Sequence, residues 1–401
     1  MSFISRLGQG AQTEAGNTGL IVAGTAIATA TLLAALRAYL WPTPPKIARS
    51  PLRTLLPGLS QDEFNKLEYK PDNFPGARDV ETPYGSIRVY EWGPLTGDKV
   101  VFVHGISTSC ITLTKLANAL VEEKGCRVLL FDLFGRGFSD NPSDLPHDDR
   151  LYTTQLLLAL ASSPDLSWTG PQAFRLVGYS LGGGIAVHFA AAFPHLVSSL
   201  VLLAPAGLIR PESFGALTRA VFTSGLVPPR VLAWITRHRL KKPIRSSGKR
   251  GGGTTSLTTK TKPDPVTASL TETAPLLTTT PTASEPPNAL EQRVLRAVHW
   301  QLAHHPGFVA AFMSCIRHAP MVGQHGAWAK LADRPPGTTT IILGEADEII
   351  DPEEYAADAL PLLGGLERGV GWRIVLGGGH DFPMTFARET LGEIYSAWGW
   401  E

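Results

Sequence analysis

Short, unbroken apolar runs alternate along this chain with longer stretches in which apolar residues recur every three to four positions. The short runs are Ser86–Trp92, Lys99–Val103, Arg127–Asp132, Phe174–Gly178, Ser199–Leu203, Thr339–Leu343 and Trp372–Leu376. The helical periods are Leu113–Glu123, Tyr152–Ala161, Leu181–Phe193, Pro352–Leu363 and Thr385–Trp398. The central runs are continuous Val, Leu, Ile and Phe rather than alternating with polar residues. That is the pattern of strands covered on both faces, so it predicts a mostly parallel sheet. Strand and helix alternate in order, which predicts a doubly wound α/β class.

Two segments break this rhythm. Gly19–Leu36 is uncharged and about 18 residues long, the lower end of what crosses a bilayer core. Tyr39 and Trp41 follow where an interfacial aromatic belt belongs, and Pro42, Pro44 and Pro45 stop the helix. A cleaved leader would need a small-residue cleavage site, and a transit peptide would be rich in Arg and poor in acid; Arg6 and Glu14 fit neither. We therefore expect a single-pass anchor at about 19–36. Arg6 upstream against Arg37, Lys46, Arg49 and Arg53 downstream predicts a cytosolic catalytic domain. No Asn-X-Ser/Thr acceptor lacks an intervening Pro, so nothing points to a glycosylated lumenal domain.

The second segment, residues 245–290, is rich in Thr, Ser, Pro, Lys and Gly and has no apolar period. It cannot bury enough surface to offset its ordering entropy, so it is expected to be a disordered insertion acting as a spacer. The 36 basic and 35 acidic residues give a net charge of +1, which excludes a strongly basic nucleic-acid binder. Charged residues are only 18% of the chain, partly because the Gly19–Leu36 segment holds none. Three widely spaced cysteines, Cys110, Cys126 and Cys315, form neither a disulfide framework nor a zinc pattern. No metal or organic cofactor is expected.

The chemistry concentrates in one motif. Gly178-Tyr179-Ser180-Leu181-Gly182 follows an apolar strand and opens a helical run. A serine on such a turn is pushed out of the sheet, and the helix N-terminus beneath favours developing negative charge. A hydroxyl needs a base, and the base needs an orienting acid. His380 lies in a glycine-rich loop after the last strand. Among the acids Glu345, Asp347, Glu348 and Asp351, which follow the strand before it, Asp347 is chosen. Asp351-Pro352 reads instead as a helix N-cap with Pro at the first helical position. The backbone N–H groups of Leu181 and Ile106 are the expected oxyanion donors, Ile106 following His104-Gly105 at the end of the Lys99–Val103 run. His104 and Arg136 are expected to order their loops rather than to react.

The set HGIS (104–107), FDLFGRGFSD (131–140), GYSLGG (178–183), VLLAPAGL (201–208), GEADEIID (344–351) and GGGHDFP (377–383) resembles the α/β-hydrolase superfamily. It looks most like the Ser-nucleophile ester hydrolases, including membrane-anchored monoacylglycerol-lipase-like enzymes, and the carbon–carbon bond hydrolases. The resemblance covers about 81–244 and 291–401 and supports Asp347 as the acid. Epoxide hydrolases and haloalkane dehalogenases share the scaffold but carry Asp at the elbow, where this chain has Ser180. The implied organisation is an N-terminal anchor region (1–80), a first core part (81–207), a helical cap with the insertion (208–336), and a second core part (337–401). Phe214, Leu217, Phe222, Trp234, Trp300, Phe308 and Phe312 are expected as cap core or acyl-pocket lining. The expected partners are a small-molecule or lipid ester, with monoacylglycerol as one example, and a membrane through the N-terminal segment. A thioester or carbon–carbon bond hydrolase with the same triad, or a catalytically silent binding protein of the same fold, are the alternatives.

Overall fold

The computed structural model describes residues 4–170, 173–210, 227–240 and 289–400. Eight strands form its main sheet: β1 (Arg78–Thr82), β2 (Gly85–Trp92), β3 (Lys99–Val103), β4 (Arg127–Phe131), β5 (Phe174–Tyr179), β6 (Val197–Leu203), β7 (Thr339–Gly344) and β8 (Gly371–Val375). Their order is β8-β7-β6-β5-β3-β4-β2-β1. The run from β8 to β4 is parallel, and β2 and β1 close the far edge as an antiparallel hairpin. β3 to β6 and β7 are almost wholly buried, as their unbroken apolar sequences require.

The longer helices are α1 (Ile4–Leu40), α2 (Thr114–Lys124), α3 (Asp149–Ala161), α4 (Leu181–Ala192), α5 (Pro229–Leu240), α6 (Ala289–His304), α7 (Phe308–His318), α8 (His325–Lys330), α9 (Pro352–Leu362) and α10 (Ala387–Trp398). α2 and α10 pack together, while α3, α4, α8 and α9 form a second contacting layer. The helices therefore cover both faces of the sheet.

The seven expected strands are all present, with ends shifted by at most two residues. β1 is additional. Its sequence, RDVET, has one strong apolar residue, and it exists because it pairs antiparallel with β2 at a sheet edge. α5 to α8 lie between β6 and β7, where the cap is expected. Most of the polar 245–290 segment lies outside the described residues, but Ala289 and Leu290 already belong to α6. Phe308 and Phe312 are fully buried and Trp300 packs against the core, whereas Trp234 is exposed; Phe214, Leu217 and Phe222 lie outside the described residues.

α1 is longer than expected. Among the described residues its span-length apolar stretch is Val22–Leu40, 19 residues of mean hydropathy 1.4, none buried, and it overlaps the segment expected as an anchor at 19–36. No proline interrupts the chain before Pro42, so the helix continues through Tyr39.

Candidate functional site

The winding brings two loops together. From β3 the chain crosses to β4 on one side, then passes back over β3 to β5 on the other. The loops leaving β3 and β5 therefore face each other at the carboxyl ends of the strands, the usual ligand position in such sheets.

Ser180 sits between β5 and α4 with φ 54 and ψ −119, outside the comfortable regions for a residue with a Cβ. The strain is held by neighbours. Ser180 N–H donates to Leu203 O at 2.9 Å, and Ser180 O accepts from the N–H groups of Gly183, Gly184 and Ala206. The two flanking glycines permit close approach of backbone. A Cβ on Gly178 would lie 2.4 Å from Gly182 O, and one on Gly182 would lie 2.1 Å from Val103 O. Gly182 thus lets α4 start directly against the end of β3, which puts Leu181 beside the Ile106 loop.

His380 links the other two side chains. Its Nδ1 is 2.8 Å from Asp347 Oδ2, and its Nε2 is 3.1 Å from Ser180 Oγ. An ionised carboxylate only accepts, so Nδ1 carries the proton and the Nε2 lone pair faces the hydroxyl. Asp347 Oδ1 is fixed by the N–H groups of Ile349 and Ile350, each at 2.8 Å. All three residues are buried, Ser180 being 8% exposed.

Two of the three competing acids are spoken for elsewhere. Glu345 accepts from Gly377 N–H at 2.8 Å, and Asp351 caps α9 through the N–H groups of Glu353 and Glu354. Glu348 is exposed, and partial desolvation with repulsion from Asp347 raises its carboxyl pKa. Gly344 packs so tightly that a Cβ would meet Gly378 O at 2.5 Å, which holds the acid and histidine loops together.

Leu181 is the first residue of α4, so its N–H has no partner within the helix. On the facing loop, the carbonyl of Ile106 accepts from Arg136 Nε at 2.9 Å. Arg136 is fully buried and also donates to Phe134 O (3.0 Å), Tyr152 OH (3.2 Å) and Cys315 Sγ on α7 (3.3 Å). It orders the Ile106 loop, as expected, and additionally ties it to α7, a contact across 179 residues of sequence that no local pattern announces.

Two further residues escaped sequence reasoning. Tyr179 OH donates to His380 O at 3.2 Å, and the two rings lie 5.6 Å apart. Tyr179 fills the second position of the elbow motif, Gly-x-Ser-x-Gly, which carries no requirement that would mark it. Ala204, just after β6, also has positive φ (41), with its N–H bonded to Ile342 O.

A second buried group lies nearby: ligand atoms of His104, Cys110 and Asp132 fall within 4.8 Å of one another. Its atoms are already engaged. His104 Nε2 accepts from Leu133 N–H at 2.9 Å, and its Nδ1 bonds Gly105 O at 2.8 Å. Asp132 accepts from the N–H groups of Cys110 and Phe138 and from Tyr69 OH. A histidine whose lone pair is taken by an amide is not free to bind a metal. This set is a structural knot that pins the ends of β3 and β4.

The comparisons with known proteins agree with this architecture. A family profile described as the α/β hydrolase fold matches residues 98–230. The chain is 30% identical over 145 residues to a serine hydrolase-like protein of Dictyostelium discoideum, covering 35% of this chain and 39% of that one. It is 31% identical over 135 residues to the sn-1-specific diacylglycerol lipase of Mus musculus, covering 32% and 40%. The alignments thus span about two fifths of these relatives. A bromoperoxidase from Bacillus anthracis superposes with a TM-score of 0.57 at 18% identity, covering 80% of this chain and 99% of that one. With the sheet order, the elbow at Ser180 and these matches together, the chain belongs to the α/β-hydrolase superfamily.

Proposed function

We propose that this protein is a serine hydrolase that cleaves a carboxylic ester, with residues 81–207 and 337–401 as its core and 208–336 as a cap. The observation that carries the reading is the chain Asp347–His380–Ser180, with Ser180 on a strained turn. His380 Nε2 takes the Ser180 proton as Oγ attacks the ester carbonyl carbon. The carbonyl π-electrons move to oxygen, and the N–H groups of Leu181 and Ile106 stabilise that charge, each worth about 3–4 kcal/mol of barrier. As the intermediate collapses, the C–O bond breaks and His380 returns its proton to the departing alcohol. Water then loses a proton to His380 and attacks the acyl carbon. Ser180 leaves with that proton, and the carboxylic acid is released. Asp347 keeps the Nδ1–H tautomer and stabilises the imidazolium.

We further infer that α1 anchors the enzyme in a membrane with its catalytic part on the cytosolic side. The unburied Val22–Leu40 stretch and the basic residues after it support this. A long-chain ester such as a monoacylglycerol suits a site held at a bilayer, and one matched relative is described as a diacylglycerol lipase. Fluorophosphonate labelling of the full chain, with and without Ser180→Ala, tests the chemistry. Labelling and esterase turnover that both vanish in the folded variant are expected. Full esterase activity in Ser180→Ala would overturn the reading, and thioester and dicarbonyl substrates run alongside identify the leaving group.

A further inference from the structure

The end of α1 meets the exposed face of α5. α1 packs against α5, and the Arg230 guanidinium lies 4.2 Å from the centroid of the Tyr39 ring. Where they meet, large side chains stand exposed on both sides: Tyr39 and, just past the helix end, Trp41, with Val231 and Trp234 on α5. Trp234 is 66% exposed and stacks on His238 with ring planes 11° apart. The opposite face of α5 does the packing: Leu232 and Thr236 are buried, and Thr236 OH bonds Met313 Sδ on α7 at 3.3 Å. Trp234 therefore contributes little to holding α5 in place.

The level of α5 relative to a bilayer follows from α1. The apolar stretch ends at Leu40, so Tyr39 and Trp41 lie at the headgroup boundary. A helix whose arginine touches Tyr39 lies at that same boundary. The sequence of α5, PRVLAWITRHRL, has three arginines and no acid, and Lys241 and Lys242 follow it. Apolar and aromatic residues beside a basic set are the composition of a helix lying in the plane of an anionic interface.

We propose that α5 is a second membrane contact, docked on the surface that receives α1, with Val231 and Trp234 in the interfacial layer and Arg230 at the anionic lipid headgroups. This rests on the reading of α1 as an anchor and is independent of the hydrolytic reading. The cap is thereby held to the bilayer at a point remote in sequence from the anchor.

The test uses the full chain in nanodiscs of phosphatidylcholine, with or without phosphatidylserine. Trp234→Cys carries an environment-sensitive fluorophore; the three native cysteines are buried. A control label replaces Leu366, which is 55% exposed and precedes the amino end of β8. We expect the label at 234 to shift to the blue and to be quenched by lipids bearing a quencher just below the headgroup, about 5–10 Å deep. The label at 366 should show neither effect, and removing phosphatidylserine should weaken the quenching at 234. A label at 234 as unquenched as that at 366, on chains that co-float with the discs, overturns the proposal. So does a blue shift that grows with protein concentration and ignores the lipid quencher, since a second copy then covers the face. Chains that fail to co-float overturn the anchor and the docking together, whereas loss of hydrolysis in Ser180→Ala leaves the quenching unchanged.

Discussion

His380 and His104 occupy two regions that share an inventory and differ in wiring. Each is a buried histidine at the carboxyl end of a strand, with a buried aspartate and a nucleophilic side chain close by: Asp347 and Ser180 in one, Asp132 and Cys110 in the other. Around His380 the carboxylate takes one ring nitrogen and a hydroxyl faces the second. Around His104 the backbone takes both. A proton can leave Ser180 for His380, but a proton arriving at His104 would have to displace an amide. Burial reinforces this by pushing the His104 pKa down to about 3 and the Asp132 pKa up. Residue types therefore do not identify a catalytic set; the partner of each ring nitrogen does.

The sharpest break of that comparison is a matched pair of substitutions. Asp347→Asn should cost about 10⁴ in kcat, because an amide no longer enforces the tautomer that leaves Nε2 free. Thermal stability should change far less. Asp132→Asn should do the reverse, with kcat per folded molecule within about tenfold of wild type and a clear drop in Tm. The drop follows because the two carboxylate oxygens accept from the N–H groups of Cys110 and Phe138, and the amide NH2 that replaces one of them would set donor against donor. If Asp132→Asn abolished turnover in stably folded protein, the knot would belong to the site.

Arg136 belongs to neither set but holds the Ile106 carbonyl, two residues beyond His104, and ties it to Cys315 on α7. Arg136→Met should lower kcat by roughly 10²-fold through a displaced oxyanion donor. Its expected signature is a parallel loss of affinity for a tetrahedral-intermediate mimic, with KM little changed. Cys315→Ala, which keeps the bond to Ile106, should retain most of the activity. Equal losses in the two variants would show that α7, rather than Arg136 itself, sets the loop.

The two regions were unequally legible in the sequence. The elbow at 178–182 and the loops carrying Asp347 and His380 announce themselves because each follows an apolar run and carries glycines where backbone passes too close for a Cβ. The strands were legible because burial on both faces leaves a composition, not merely a period. β1 was not, because RDVET owes its conformation to a partner strand. Arg136–Cys315 and Tyr179–His380 were not, because side-chain contacts over 179 and 201 residues leave no local trace. α1 was visible as an apolar stretch, and the helix runs beyond it at both ends because no proline stops it before Pro42.

Acid should separate the regions by stability. Burial lowers the pKa of His104 and His147 to about 3 and of His305 to about 4, while the unfolded chain protonates near 6.5. The unfolded state therefore binds more protons in that window. The stabilisation is complete above about pH 6.5 and is lost as pH falls toward 3–4, at up to about 4 kcal/mol per pH unit for three groups. Denaturant melts from pH 7 to 4 should show that slope, and His305→Asn should flatten it by about one third. An unchanged slope would mean that His305 is not held neutral.

Asp381, next to His380, should give the smallest effect and one of opposite sign. Burial, with Glu291 and Glu348 adding repulsion, raises its pKa to about 7. Between the unfolded carboxylate value near 4 and that point, the folded state holds a proton the unfolded chain has released. This contribution is therefore present at low pH and is lost as pH rises from about 4 to about 7. Asp381→Asn fixes the neutral form. It should match wild type below about pH 4, gain on it in stability progressively up to pH 7, and remove the fall with rising pH that partly masks the histidine slope. Because Asp381 accepts nothing from Ser180 or His380 Nδ1, turnover at pH 6 should stay within severalfold of wild type. A loss as large as that of Asp347→Asn would mean that the carboxylate facing His380 had been misassigned, and with it the wiring that distinguishes this histidine from His104.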